Sequence, residues 1–112
     1  MIHEEICTYE VCKLAKEKGF DVPTAKNYRH ESGETCNAPT QSLLQRWLRE
    51  EKNIVVVVDW FSIEEKYYWR VYDTSKDDMF ASFMPPAKSM SRYDTWEQAL
   101  ESGLKYVLKE LK

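Results

Sequence analysis

A run of mostly β-branched residues, NIVVVVDWF at 53–61, constrains this chain more than any other feature. It is too short and too branched to favour a helix. A second strand-like run, KYYWRVY at 66–72, follows after only the four residues 62–65, so we expect an antiparallel hairpin. The expected cross-strand pairs are Val58 with Trp69 and Trp60 with Tyr67. Both faces of this hairpin carry apolar side chains, which predicts that both are at least partly covered.

Three segments have the apolar spacing and capping residues of α-helices. The first is expected over 8–18, with Thr8 as N-cap and Gly19 as the left-handed residue after its end. The second follows Pro39 or Thr40. The third begins with a capping box formed by Thr95 and Gln98, and it should be the best defined of the three.

The remaining segments complete the predicted topology. MFASF at 79–83 is expected to form a short third strand, and the polar stretch 21–38 a surface loop with Tyr28 as its one large apolar anchor. Gly103 lies on the apolar face of the last helix, although glycine destabilises a helix interior by about 1 kcal/mol. Close approach of that helix to the sheet would explain it.

These elements predict one α+β domain spanning 1–112. Residues 39–112 would form its core in α-β-β-β-α order, and 1–38 an N-terminal extension of one helix and a loop. The core would contain a three-stranded antiparallel sheet with the second and last helices on one face. The first helix would lie across an edge or the opposite face. The predicted core residues are Trp47, Leu48, Val56, Val58, Trp69, Leu100, Leu104 and Val107, and Trp60 and Trp96 are also placed in the core.

The composition favours a soluble protein of the cytoplasm. The N-terminus has no apolar stretch typical of a secretory signal, and the longest aliphatic run, Ile54–Val58, is far shorter than the about 20 residues of a membrane span. Three cysteines, an odd number, indicate reduced thiols. With 16 basic and 19 acidic residues, the net charge is −3, which argues against nucleic-acid binding driven by the overall field.

No motif in the chain predicts an active site, so we expect no catalytic, cofactor-binding or metal-binding residue, although an enzyme is not excluded. The zinc-ligand types in the first third are His3, Cys7, Cys12, His30 and Cys36. Their spacings contain no CxxC pair and match no zinc pattern, so we interpret the cysteines as small buried hydrophobes. Only three glycines are present, which leaves no phosphate-cradling loop or dinucleotide fingerprint.

The candidate interaction surface consists of Asp59, Tyr68, Arg70 and Tyr72, which share one face of the predicted hairpin. A diagonal ion pair between Asp59 and Arg70 would explain both charges without a function. The two tyrosines are either covered by the first helix or form a stacking platform for bases. From residue 39 onward the element order is that of the double-stranded-RNA-binding domain, but acidic residues open the last helix and would repel phosphate.

Four tryptophans and seven tyrosines exceed what a core of this size needs, and these residues are typical anchors of protein interfaces. We therefore expect a small non-enzymatic accessory protein that binds another protein or itself. A nucleic-acid-binding module using Tyr68, Arg70 and Tyr72 is the alternative. We expect no cofactor, no membrane contact and no small-molecule substrate.

Two stretches, APTQSLLQRWLREEKNIVVVV at 38–58 and DTWEQALESGLKYVLKEL at 94–111, are similar to a known group of sequences. They resemble short uncharacterised proteins from phages, prophages and Bacteroides-type gut bacteria. TYEVCKLAKEKGFD at 8–21 is similar to the opening helix of that group. The resemblance implies an accessory protein of phage or mobile-element type, and it implies no activity, cofactor or catalytic residue.

Overall fold

The structure is a computed structural model that describes residues 4–29, 31–75 and 92–111, together with the backbone of 82–83. The elements are, in chain order, α1 (Tyr9–Glu17), β1 (Asn27–Arg29), β2 (Thr35–Asn37), α2 (Gln41–Glu51), β3 (Ile54–Phe61), β4 (Lys66–Asp73), β5 (Ser82–Phe83) and α3 (Trp96–Glu110). The overall class is α+β, as the sequence predicts.

The predicted hairpin is confirmed. Strands β3 and β4 pair antiparallel along their full length, with Val58 opposite Trp69 and Trp60 opposite Tyr67. The turn closes at Glu65, which adopts a left-handed backbone conformation (φ 54°). Alternation along the strands then divides the side chains between a buried face and a second, mostly half-buried face.

The helix starts follow their caps: Thr8 and Thr95 are N-caps as predicted, and of the two alternatives for α2, Pro39 or Thr40, the N-cap is Thr40. The Thr8 hydroxyl accepts a hydrogen bond from the Val11 N–H, and the Thr40 hydroxyl accepts one from the Leu43 N–H. At the start of α3 the Thr95 hydroxyl accepts from the Gln98 N–H while the Gln98 side chain accepts from the Thr95 N–H. Each cap satisfies backbone donors that a helix start leaves unpaired.

The prediction of a single three-stranded sheet is wrong, because the described chain forms two separate antiparallel sheets. The additional sheet pairs β1 with β2, in the stretch predicted as a surface loop, and brings Tyr28 opposite Cys36. In the larger sheet, Ser82 and Phe83 are the described residues of β5, and they pair antiparallel with β4. Positions 79–81 of the predicted third strand lie outside the described residues.

The helices α2 and α3 cover the buried face of the large sheet. Helix α2 packs on β3, and α3 packs on both β3 and β4. A Cβ built on Gly103 would lie 3.0 Å from Val56 Cγ1 and 3.1 Å from Trp69 Cγ, so the predicted close approach is confirmed. The predicted position of the first helix is wrong, because α1 packs against α3 and β2 instead.

One hydrophobic cluster joins both predicted parts of the chain. All eight predicted core residues named above are buried in it, and so are several N-terminal residues: Cys7, Val11, Cys12, Ala15 and Phe20. The placement of Trp60 and Trp96 in the core is wrong, since both side chains are about half exposed. In the part of the chain that the structure describes, no helix combines the length and apolarity needed to cross a membrane.

Candidate functional site

The four residues of the predicted interaction surface do lie together, on the second, mostly half-buried face of the large sheet. Arg70 occupies its centre: Nη2 donates to the Tyr68 hydroxyl at 2.9 Å and Nη1 donates to the Tyr72 hydroxyl at 3.3 Å. Its Nε lies 3.3 Å from Asp59 Oδ2, so the predicted diagonal ion pair is confirmed. The hydrogen bonds with Tyr72 and Tyr68 raise the pKa of Arg70, which keeps its charge.

A second arginine engages the same face. The Arg92 guanidinium lies 5.0 Å from the ring centre of Phe61 and 5.6 Å from that of Tyr68, while Arg92 Nε lies 3.0 Å from Glu64 Oε2. Tyr68 also has the Arg70 guanidinium 5.5 Å from its ring centre. The first helix does not cover the two tyrosines, because it packs on α3 and β2. On this face Tyr68, Arg70 and Tyr72 are half-buried, and Asp59 is exposed.

A second surface, which we name the aromatic patch, consists of Trp60, Tyr67 and Trp96. The ring centres of Trp60 and Tyr67 are 4.8 Å apart, and those of Tyr67 and Trp96 are 6.2 Å apart, both in edge-to-face arrangements. Trp60 is 51% exposed and Trp96 is 45% exposed. Large apolar side chains gathered and exposed in this way are typical of interaction sites.

The positions of the two tryptophans explain their exposure. Trp60 lies on the buried side of β3 but next to the end of the strand, and Trp96 is the first residue of α3. The bridge between Tyr67 and Tyr93 and the ion pair between Lys66 and Asp94 hold the two segments together. Apolar periodicity predicted that both tryptophans are buried. Their location at the ends of elements is the sequence feature that could have predicted their exposure.

The surroundings of the aromatic patch are acidic. The flanking segments 59–66 and 92–97 contain five carboxylates, Asp59, Glu64, Glu65, Asp94 and Glu97, against the two cations Lys66 and Arg92. Three of the carboxylates are paired with cations: Asp94 with Lys66, Glu64 with Arg92, and Asp59 with Arg70. Glu65 and Glu97 have no paired cation among the described residues. The patch therefore carries a local negative field that favours a positively charged partner.

A cleft of about 860 Å³ lies between the N-terminal segment and the first half of α3. At its wall, Glu101 accepts from the Thr8 N–H at 2.6 Å and from Gln41 Nε2 at 2.9 Å. Gln41, only 4% exposed, also donates to the Glu97 carbonyl. These contacts fasten α1 and α2 to α3. No histidine or cysteine is among the described residues that line the cleft, so they provide no nucleophile and base pair of the Cys–His type.

The three cysteines are buried free thiols. Burial raises the pKa of Cys12 to about 12, and it raises the pKa of Cys7 and that of Cys36 as well. A raised pKa favours the protonated thiol, which is a weaker nucleophile than the thiolate. Within the described ranges no three residues of suitable type are grouped for a metal ion. His3 and His30 lie outside those ranges.

Comparisons of the chain with protein-family models, with curated proteins and with solved structures found no match in any of the three. The two candidate surfaces are the face around Arg70 and the aromatic patch. On the Arg70 face, the guanidinium is paired with Asp59 and hydrogen-bonded to Tyr68. In the aromatic patch, by contrast, Trp60 and Trp96 are about half exposed.

Proposed function

We propose that this chain is a non-enzymatic accessory protein that binds another protein through the aromatic patch. The exposure of Trp60 and Trp96, two tryptophans held in ring contact through Tyr67, carries the proposal. Tryptophan and tyrosine contribute most of the binding energy at many interfaces. Ring contacts that already exist in the free protein reduce the side-chain entropy lost on binding.

A nucleic-acid-binding module that uses Tyr68, Arg70 and Tyr72 is the alternative, and it has less support. The Arg70 guanidinium already bonds both tyrosine hydroxyls and lies beside Asp59. A phosphate would have to compete with that carboxylate, and a base would have to displace a guanidinium from the ring of Tyr68.

A location in the cytoplasm is part of the same proposal. The three buried cysteines are unpaired, which agrees with a reducing compartment such as the cytoplasm. The proposal also includes an accessory role in a phage or mobile element, which the resemblance implies.

The binding test compares three forms of the protein immobilised against lysate of the source cells. They are wild type, the double variant Trp60→Ser with Trp96→Ser, and the opposite-face variant Tyr68→Ser with Tyr72→Ser. We expect a partner retained by the wild type and by the tyrosine variant, and weakened at least about tenfold by the tryptophan variant. Equal retention by all three forms contradicts the proposal. Urea unfolding of each variant controls for loss of the fold.

Two further measurements separate the remaining possibilities. Light scattering after size-exclusion chromatography reports self-association, and dimers lost in the tryptophan variant would make the partner a second copy. Titration of labelled single- and double-stranded RNA and DNA at about 50 mM salt tests the alternative. Binding that is lost in Arg70→Gln and kept in the tryptophan variant would favour the nucleic-acid module over our proposal.

A further inference from the structure

The hydrogen bonds of Tyr67 show which residues of β3 direct their N–H and carbonyl groups away from β4. The Tyr67 N–H and carbonyl both bond to Tyr93, at 2.8 Å each. Tyr67 is therefore a non-hydrogen-bonded pair with Trp60, whose own N–H and carbonyl point away from β4. Because the pattern alternates, Val58 and Val56 also turn their backbone groups to the outer edge of the large sheet.

The described residues hydrogen-bond to part of this outer edge. Gln45 of α2 donates from Nε2 to the Val56 carbonyl at 2.5 Å, so a helix side chain satisfies this outward carbonyl. For the outward backbone groups of Val58 and Trp60, the described residues provide no hydrogen-bond partner. Unpaired edge groups of this kind are a template for an added strand.

We infer that the edge of β3 at Val58 and Trp60 receives an extended, basic segment of the partner protein as an additional strand. The inference rests on the proposed function and specifies how the partner binds the same site. The main chain of the added strand would bond the outward groups of Val58 and Trp60. Its side chains on one side would cover the exposed Trp60 ring, and those on the other side would lie near Asp59, since side chains alternate.

The negative charge near this edge favours a basic segment from another protein over a second copy of this chain. A second copy would bring its own Glu65 to an edge where Glu65 already has no paired cation among the described residues, and like charges across strands are destabilising. Lysine or arginine in the added strand would instead meet opposite charge, and each also interacts favourably with the face of a tryptophan ring.

The experiment begins with a display library of random peptides of about ten residues, long enough for one strand. It is selected on the immobilised wild-type protein at low salt and counter-selected on Trp60→Thr, which keeps a strand-forming residue and removes the ring. We expect enriched peptides with lysine or arginine at alternate positions. Replacing their basic residues by glutamate, or raising the salt to about 0.5 M, should weaken binding at least about tenfold.

Amide hydrogen exchange of the peptide complex, followed by NMR, then tests strand addition directly. The Val58 and Trp60 amides should exchange at least about tenfold more slowly in the complex than in the free protein. The Val57 and Asp59 amides, which face β4, are internal controls protected in both states. Methylating alternate peptide nitrogens in one of the two registers should abolish binding, and in the other register should leave it nearly unchanged.

The outcomes distinguish this inference from the proposed function. A peptide that depends on Trp60 but leaves the Val58 and Trp60 amides unprotected overturns strand addition and leaves the aromatic patch as the binding surface. Protection of these amides by peptides that bind Trp60→Thr equally well overturns the role of the patch. An absence of enriched peptides, an acidic consensus, or protection accompanied by dimers in light scattering each overturns the basic-segment inference.

Discussion

Trp47 and Trp60 have the same side chain and different roles. Trp47 is 8% exposed and packs edge-to-face on Phe20, with ring centres 5.3 Å apart. Trp60 is half exposed and contacts Tyr67 at the end of the hairpin. Since the hydrophobic contribution follows the apolar area removed from water, the two residues should contribute very differently to stability.

The first prediction is that Trp47→Ala lowers the free energy of unfolding by about 3–5 kcal/mol, because it leaves a large cavity between α2 and the N-terminal segment. Trp60→Ala is the matched control and should lower it by about 1 kcal/mol or less. Urea denaturation followed by circular dichroism measures both. A Trp47→Ala protein as stable as the wild type would contradict the packing described here.

The second prediction concerns pH. Burial raises the pKa of the folded Cys12 thiol to about 12, against about 8.5 in an unfolded chain. Between these values the unfolded state loses a proton that the folded state keeps, so this contribution to stability is complete below about pH 8.5 and is lost as the pH rises. Cys12→Ala should show a shallower loss of stability between about pH 8 and pH 10 in urea titrations. Identical slopes would contradict it.

At the scale of elements, capping residues and close contacts control where each helix begins and how near it lies to the sheet. The hydroxyls of Thr8, Thr40 and Thr95 each start a helix at the predicted position. The short strands β1 and β2 escaped prediction because each has only three residues, too few to show alternation. Contacts from outside the pair hold them, including the hydrogen bond from the Tyr28 hydroxyl to the Cys7 carbonyl.

The third prediction is that Gly103→Ala destabilises the protein by about 1–3 kcal/mol, although alanine is the better helix former by about 1 kcal/mol. The new methyl group would meet Val56 and Trp69, both buried, at 3.0–3.2 Å. Lys109→Ala, at an exposed position of the same helix, is the control and should change stability by less than about 0.5 kcal/mol. A stabilised Gly103→Ala protein in thermal unfolding would show that α3 can move away from the sheet.

At the scale of the whole molecule, the N-terminal segment contributes directly to the core. Helix α1 packs on α3, and Phe20 contacts Trp47 of α2. Glu101 of α3 also accepts the Thr8 N–H. The hydrophobic cluster therefore includes residues of both 1–38 and 39–112.

The fourth prediction is that a chain reduced to 39–112 does not unfold cooperatively. Removing 1–38 would expose apolar residues that α1 covers on α3 and that Phe20 covers on α2, and a domain of that size has little hydrophobic stabilisation to lose. Thermal unfolding and the dispersion of amide signals in NMR measure the outcome. A fragment with a sharp transition near that of the full chain would show that the first 38 residues are only an appendage.

The sequence by itself determined the local structure: the hairpin and its register, the three helix starts, the eight buried core residues and the diagonal pair of Asp59 with Arg70. These depend on side-chain alternation, helical spacing and caps, all of which act between neighbours in the chain or across one turn. Tertiary structure alone decided the second sheet, the packing of α1 on α3 and the exposure of Trp60 and Trp96. Burial is a property of what covers a side chain, and the covering elements come from distant parts of the chain.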